Sequence, residues 1–181
     1  MRPQPVIEHG KVTLRCWRPE EDVAVLFRLI EESLEHLRPW MPWVAGHSRQ
    51  ATADFLAGCR PRWERGEAYD YAIVYRGAVV GSCGMSTSAG PGGWQIGYWL
   101  HPALTGRGLA TAAVIALAEQ AFALPGVAYV EIVHDVANAA SGAVARRAGF
   151  SQTGRQATRL PPVPGRSGVE LVWRLSRPPQ P

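Results

Sequence analysis

Gly106-Arg107-Gly108 stands between the apolar stretch Tyr98-Trp99-Leu100 and the alanine-rich run that opens with Leu109-Ala110-Thr111. Glycine removes the side chain where a backbone amide must approach a ligand, and the first turn of a helix carries N–H groups with no intrahelical acceptor. Strand, glycine-rich turn and helix start, in that order, make an anion site suited to a pyrophosphate. Arg107 can add a charge-assisted contact. Two glycines at a helix start also occur in loops that bind nothing. The dinucleotide fingerprint is not met, because Thr111 stands where its third glycine would fall. A Walker loop needs Gly-Lys-Ser or Gly-Lys-Thr, and the only lysine is Lys11.

A second group of polar residues follows. Glu131 and His134 lie on an apolar stretch that reads as a strand, and Asn138-Ala139-Ala140-Ser141 opens a short helix that Gly149-Phe150 ends. Asn138 is a good N-cap and Gly149 a good C′ residue. Both Glu131 and His134 are candidate bases. A continuous strand points them to opposite faces, so only one meets a substrate; a satisfied structural glutamate and a surface histidine are the alternatives.

Taken together, these segments resemble the GNAT acetyltransferase superfamily, and the layout from Val12 to Leu175 is similar to its RimJ/RimL-like branch, which acetylates ribosomal-protein N-termini. The resemblance rests on Leu37-Arg38-Pro39-Trp40, on Gly97-Tyr98-Trp99-Leu100, on Asn138 with Ser141, and on Gly149-Phe150. It implies that acetyl-CoA is the acyl donor, held in a V-shaped gap between two parallel strands, Trp94–Leu100 and Val127–Val133, with its pyrophosphate on amides from about Leu104 to Ala110. The residues implied at the donor are Trp99, Leu100, Leu104, Thr105, Gly106, Arg107, Gly108, Leu109, Ala110, Thr111, Asn138 and Ser141.

Three positions depart from the family pattern. Thr105 replaces the usual Gln or Arg at the head of the loop, Gln95 replaces an acid near the start of the fourth family strand, and Ala145 stands where many members carry a tyrosine that protonates the departing thiolate. The resemblance therefore points to Ser141 for that last task; helix capping or packing beside Gly142 is the competing role. Acetyl transfer to an amine needs a neutral amine, a donor for the oxyanion and a hydrogen bond for the leaving thiolate, and no metal. Catalytic roles are thus expected at Ser141, Glu131 and His134, and acceptor contacts at Trp40, Trp43 and Tyr98. The tryptophans also fit a lid packed over the core, and Tyr98 fits ordinary core packing. Glu170 matches an acidic strand position of the family without an assigned job.

The elements that must position these residues are legible as patterns. Val12–Trp17 alternates as a strand; Val23, Leu26, Phe27 and Ile30 form a helical stripe behind Glu20, Glu21 and Asp22. Residues from about Gln50 to Arg65 read as a second helix closed by Gly66, and Tyr71–Tyr75 and Ala78–Cys83 as a hairpin turning at Arg76-Gly77. Gly97 marks a bulge or a close backbone approach within its strand. A buried helix over Gly108–Phe122, a strand from Val127, a helix over Asn138–Ala148, a strand region after Phe150 and a last strand over Glu170–Leu175 complete the order. Loops are expected over Ala89–Gly93 and Leu160–Gly165. The fold class is mixed α/β: a central mixed, twisted sheet with helices on both faces and a splayed parallel strand pair. One domain is expected, with a core of about residues 11–176 and frayed termini.

Composition narrows the class of partner. The chain has 181 residues, 46% of them hydrophobic, which suits a packed core rather than a disordered tail. A net charge of +4 mildly favours anionic partners, but no dense basic run marks a nucleic-acid binder. Cys16, Cys59 and Cys83 have neither zinc-site nor disulfide-framework spacing, and with no hydrophobic signal stretch a cytoplasmic location is expected. The expected partners are acetyl-CoA, a peptide or small-molecule amine and, from the resemblance, a second copy of the chain; neither nucleic acid nor membrane is expected. A protein or peptide N-terminal amine is the first acceptor reading. A small-molecule amine such as an antibiotic, polyamine or toxin is the alternative, and a noncatalytic acyl-CoA sensor is a further one.

Overall fold

The computed structural model describes residues 2–88, 90–163 and 165–178. In chain order the elements are β1 (Val6–His9), β2 (Val12–Cys16), α1 (Pro19–Leu37), α2 (Arg49–Arg65), β3 (Ala68–Tyr75), β4 (Ala78–Thr87), β5 (Gly93–Leu100), α3 (Leu109–Ala123), β6 (Tyr129–Asp135), α4 (Ala139–Arg147), β7 (Ser151–Ala157) and β8 (Val169–Ser176), with short 3₁₀ turns at Pro42–Gly46 and Pro102–Leu104. The strands form one eight-stranded sheet in the order β1-β2-β3-β4-β5-β6-β8-β7. Every neighbouring pair is antiparallel except β5 and β6, which run parallel.

Strand alternation sends apolar side chains to two cores. On one face, Leu14, Tyr71, Ile73 and Ile96 meet the apolar helix α3, whose Val114 and Leu117 have no exposed surface. Burying a side chain of this size contributes about 1.5–3 kcal/mol. On the other face, Trp17 and Ala72 pack with Leu26 and Ile30 of α1 and Leu56 of α2, with Trp99 against the cluster. The expected mixed sheet with helices on both faces is therefore the architecture found.

Several boundaries differ from the sequence reading. Strand β1 was not anticipated: it is short, and Glu8 and His9 mask its alternation, yet Ile7 is buried opposite Leu14. Helix α1 runs one turn and more beyond Ile30, because Ser33 satisfies its hydroxyl on the Leu29 carbonyl at 2.7 Å and Leu37 continues the buried face. Strand β6 begins at Tyr129 rather than Val127, since the Ala128 amide is taken by the Gly92 carbonyl. Gly97 marks no bulge: the β4–β5 ladder passes Gly84 opposite Gly97 without a shift. Gly66 ends α2 as expected, in the left-handed conformation at φ 71°. Of the expected loops and tail, Ala89, Pro164 and residues 179–181 lie outside the described residues. Among the described residues, no helix is long and apolar enough to cross a membrane.

Candidate active site

Parallel pairing of β5 and β6 lasts three rungs, Gly93 with Tyr129, Trp94 with Val130 and Gln95 with Glu131. Beyond Gln95 the strands diverge: β5 continues to Leu100 against β4, and β6 to Asp135 against β8. The gap opens into a cavity of about 1060 Å³ that reaches the start of α3, the first turn of α4 and the Trp40–Met41 segment.

One end of the cavity is the glycine-rich turn. Gly106 and Gly108 have φ of 72° and 77°, the left-handed region that favours glycine, and a Cβ built on either meets nothing within 4 Å. The space on their side-chain side is thus open, not packed protein. Gly108 is the N-cap of α3 and offers no side chain, so the first-turn amides of Leu109, Ala110 and Thr111 have neither intrahelical acceptor nor capping group. These residues line the cavity with Thr105, Gly106 and Gly108. This end fits a pyrophosphate. The expected run of amides is shorter at its start than the sequence implied: the Leu104 and Thr105 amides already donate to His101 and Pro102, as the 3₁₀ turn requires. Leu104 packs against the core, and the Arg107 guanidinium reaches back to the Ala103 carbonyl at 3.4 Å.

Along the strands, the two faces carry different chemistry. Gln95, Gly97 and Trp99 point toward α1 and α2, and Glu131, paired with Gln95, shares that face. Arg174 of β8 donates to Glu131 Oε1 from Nε at 3.1 Å and from an Nη at 2.8 Å, and no hydrogen bond among the described residues uses Oε2. The side chain is 13% exposed and lines the cavity. Trp40 and Met41 wall the same cavity, whereas Trp43 stands outside it, 45% exposed and 6.3 Å from the Trp99 ring. The Trp40 carbonyl accepts a bond from buried Arg166, whose other Nη lies 2.6 Å from Glu170.

The opposite face holds Tyr98, His134 and Ser141. Asn138 caps α4 by accepting the Ser141 amide on its side-chain oxygen at 3.1 Å, which fixes the turn that presents Ser141. The Ser141 hydroxyl lies 2.8 Å from the Tyr98 hydroxyl. His134 is buried beneath α4 with both ring nitrogens engaged. The Trp173 indole donates to Nε2 at 2.9 Å, so Nδ1 carries the proton and donates to the Asp135 carbonyl at 2.8 Å. No lone pair is left for proton abstraction, which corrects the reading of His134 as a base. A Cβ on Gly142 would come within 3.2 Å of that imidazole, so glycine lets α4 lie against it. Tyr98 likewise differs from its expected role: it faces Ser141 rather than the acceptor wall.

Sequence reasoning missed the Tyr98–Ser141 contact, the Arg174 clamp on Glu131 and the buried Arg166–Glu170 pair. Only the first had a usable signal. Alternation along β5 separates Tyr98 from Gln95, Gly97 and Trp99, and so sends it toward α4.

A parallel pair splayed beside an uncapped, glycine-started helix, with a serine on one face and a carboxylate on the other, is the framework of an acyl-CoA-dependent N-acetyltransferase. The chain belongs to the acetyltransferase (GNAT) domain family, which it matches over residues 11–151. Among solved structures it is similar to RimJ of Mycobacterium smegmatis in complex with CoA-disulfide, at 27% identity and TM-score 0.85, covering 97% of this chain and 90% of that one. It is also similar to the ribosomal L7/L12 alpha-N-protein acetyltransferase RimL in complex with coenzyme A, at 23% identity and TM-score 0.85, covering 94% and 97%. The microcin C7 self-immunity acetyltransferase MccE, in complex with acetyl-CoA and AMP, shares 21% identity and TM-score 0.82 over 92% and 93%. Comparison with curated protein sequences gives no match. The protein is an N-acetyltransferase that uses acetyl-CoA and an amine acceptor.

Proposed function

We propose that the acceptor is the N-terminal amine of a protein or peptide. The observation that carries this reading is the carboxylate of Glu131 at the fork of β5 and β6, clamped by Arg174 through Oε1 and lining a cavity that Trp40 and Met41 also wall. The likeness in fold to RimL, a ribosomal L7/L12 alpha-N-protein acetyltransferase, points the same way. Glu131 takes the proton of the incoming ammonium, directly or through one water, and leaves a neutral amine to attack the thioester carbonyl. Ser141, on the far face, donates a hydrogen bond to the sulfur as the C–S bond breaks. No covalent intermediate is needed, because the thioester is already activated and alignment across the gap supplies much of the rate.

Likeness to the microcin immunity enzyme favours a second reading, in which the amine belongs to a small molecule. Thiol release from acetyl-CoA, measured with peptides beginning in serine or alanine and with spermidine and an aminoglycoside, separates the two. Turnover with peptides alone is the expected result. Turnover with small amines alone contradicts the peptide assignment. A homodimer is the assembly we expect in the cytoplasm; light scattering at micromolar concentration checks it, and a strict monomer contradicts it.

A further inference from the structure

Ala145, the α4 position where the family resemblance would put a tyrosine, is fully buried. A phenol nevertheless reaches α4, from a different element. Tyr98 projects from β5, where the ladder pairs it with Cys83 at the centre of the sheet, and its hydroxyl lies 2.8 Å from Ser141 Oγ and 3.3 Å from the Ser141 carbonyl. Among the described residues, Ser141 Oγ has no other hydrogen-bond partner. Both side chains line the cavity.

We propose that Tyr98 is the positioning residue for Ser141: its O–H donates to Ser141 Oγ, which turns the serine hydrogen into the cleft toward the departing sulfur. A serine hydroxyl left alone rotates among three staggered positions and is a weak acid. Accepting a hydrogen bond from a phenol removes that freedom and polarises the O–H, because hydrogen bonds in series strengthen one another. Tyr98 and Ser141 both end with their own protons: the proton that sulfur gains comes from solvent, directly or relayed through Ser141, and the amine gives one up to Glu131 in balance. Burial pushes the Tyr98 phenol up to about 12 against the opposing hydrogen bond to Ser141, so it remains a donor near neutral pH. The geometry also contains a competing arrangement, in which Ser141 donates to Tyr98 and Tyr98 to the Ser141 carbonyl. That arrangement would turn the serine hydrogen away from sulfur.

The inference rests on the role proposed for Ser141, and the test separates the two. Ultraviolet absorbance of the thiolate reports the pH at which the thiol of enzyme-bound CoA ionises, with no acceptor present. Ser141→Ala should raise that midpoint by about one pKa unit, a tenfold loss of thiolate stabilisation. Tyr98→Phe should raise it by roughly half as much, threefold, and should add nothing in the Ser141→Ala background. CoA affinity for the thiol form, measured by calorimetry, should be the same in all four proteins. A fluorinated tyrosine at position 98 keeps the ring and hydroxyl while strengthening the donor, and should lower the midpoint; it carries the test if Tyr98→Phe fails to fold. An unchanged midpoint in Tyr98→Phe, or an equal shift with and without Ser141, overturns the role of Tyr98. An unchanged midpoint in Ser141→Ala removes the role of Ser141 and this inference with it.

Discussion

Gln95 and Glu131 form the last rung of the one parallel ladder among the described residues. They share a face, so a neutral amide and a carboxylate stand side by side where the two strands part. The pairing places Glu131 at the mouth of the gap, and Arg174 fixes it through a single oxygen. An acid at position 95, which relatives would supply, would put two carboxylates on adjacent strands and raise the cost of ionising both. With glutamine there, Glu131 has no like-charged neighbour across the rung.

Glu131→Gln keeps the shape of the side chain and removes its charge. Single-turnover acetyl transfer to a serine-initiated peptide should slow by about 10²-fold at neutral pH, the usual range for a lost general base. Acetyl-CoA affinity, followed by calorimetry, should hold. The loss should shrink at alkaline pH, where the amine is already neutral. A wild-type rate at neutral pH assigns proton removal to another group.

Gly108→Val should weaken CoA binding by at least about tenfold, 1.4 kcal/mol. Two effects act together: valine is strained at φ 77°, and its Cβ projects into the open cleft beside the first-turn amides. Calorimetric titration with CoA measures the change, with circular dichroism to establish that α3 still forms. Equal affinities would take the pyrophosphate away from this turn.

Much of this site was readable in the sequence because its parts are local. The glycine turn, the apolar α3, the Asn138 cap and the Gly149 ending each depend on residues within a few positions, and the structure has them where patterning puts them. What could not be read depends on register between distant strands. Arg174 meets Glu131, and Trp173 reaches His134, only because β8 inserts between β6 and β7, an order that sequence spacing does not encode. The same crossover fills Nε2 of His134, while Nδ1 is taken locally by the Asp135 carbonyl, although on spacing alone His134 looked as available as Glu131. Strand β1 escaped notice because a four-residue edge strand carries too few alternations to stand out.

Asp22 gives a test of stability rather than catalysis. It is buried in the first turn of α1, accepts two bonds from the Arg15 guanidinium at 2.7 and 2.8 Å, and accepts the Arg18 amide at 2.8 Å. Burial alone would raise its pKa, but the Arg15 hydrogen bonds and the Arg18 amide outweigh it and leave the carboxyl below its usual value. A depressed folded-state pKa contributes stability that is present above the unfolded value of about 3.9 and is lost as pH falls through the folded value. Asp22→Asn should therefore cost about 2–3 kcal/mol at neutral pH, at the lower end for a buried pair because Arg15 stays partly exposed. The difference from wild type should begin to narrow as pH falls below about 3.9 and close only below the lower folded-state value. Denaturant melts at neutral and acid pH check this; a gap independent of pH would mean that packing, not charge, is what the substitution removes.

The account turns on the departure of CoA from the α4 side of the gap, and Ser141→Ala tests that most directly. The substitution removes one hydroxyl and keeps helix propensity, so α4 should persist. Single-turnover transfer from acetyl-CoA to a serine-initiated peptide, measured at saturating enzyme so that product release does not intrude, should fall by about 10²-fold, or 2.7 kcal/mol, with acetyl-CoA affinity little changed. A single-turnover rate equal to wild type would contradict the account and leave Ser141 a small polar residue in the first turn of a packed helix.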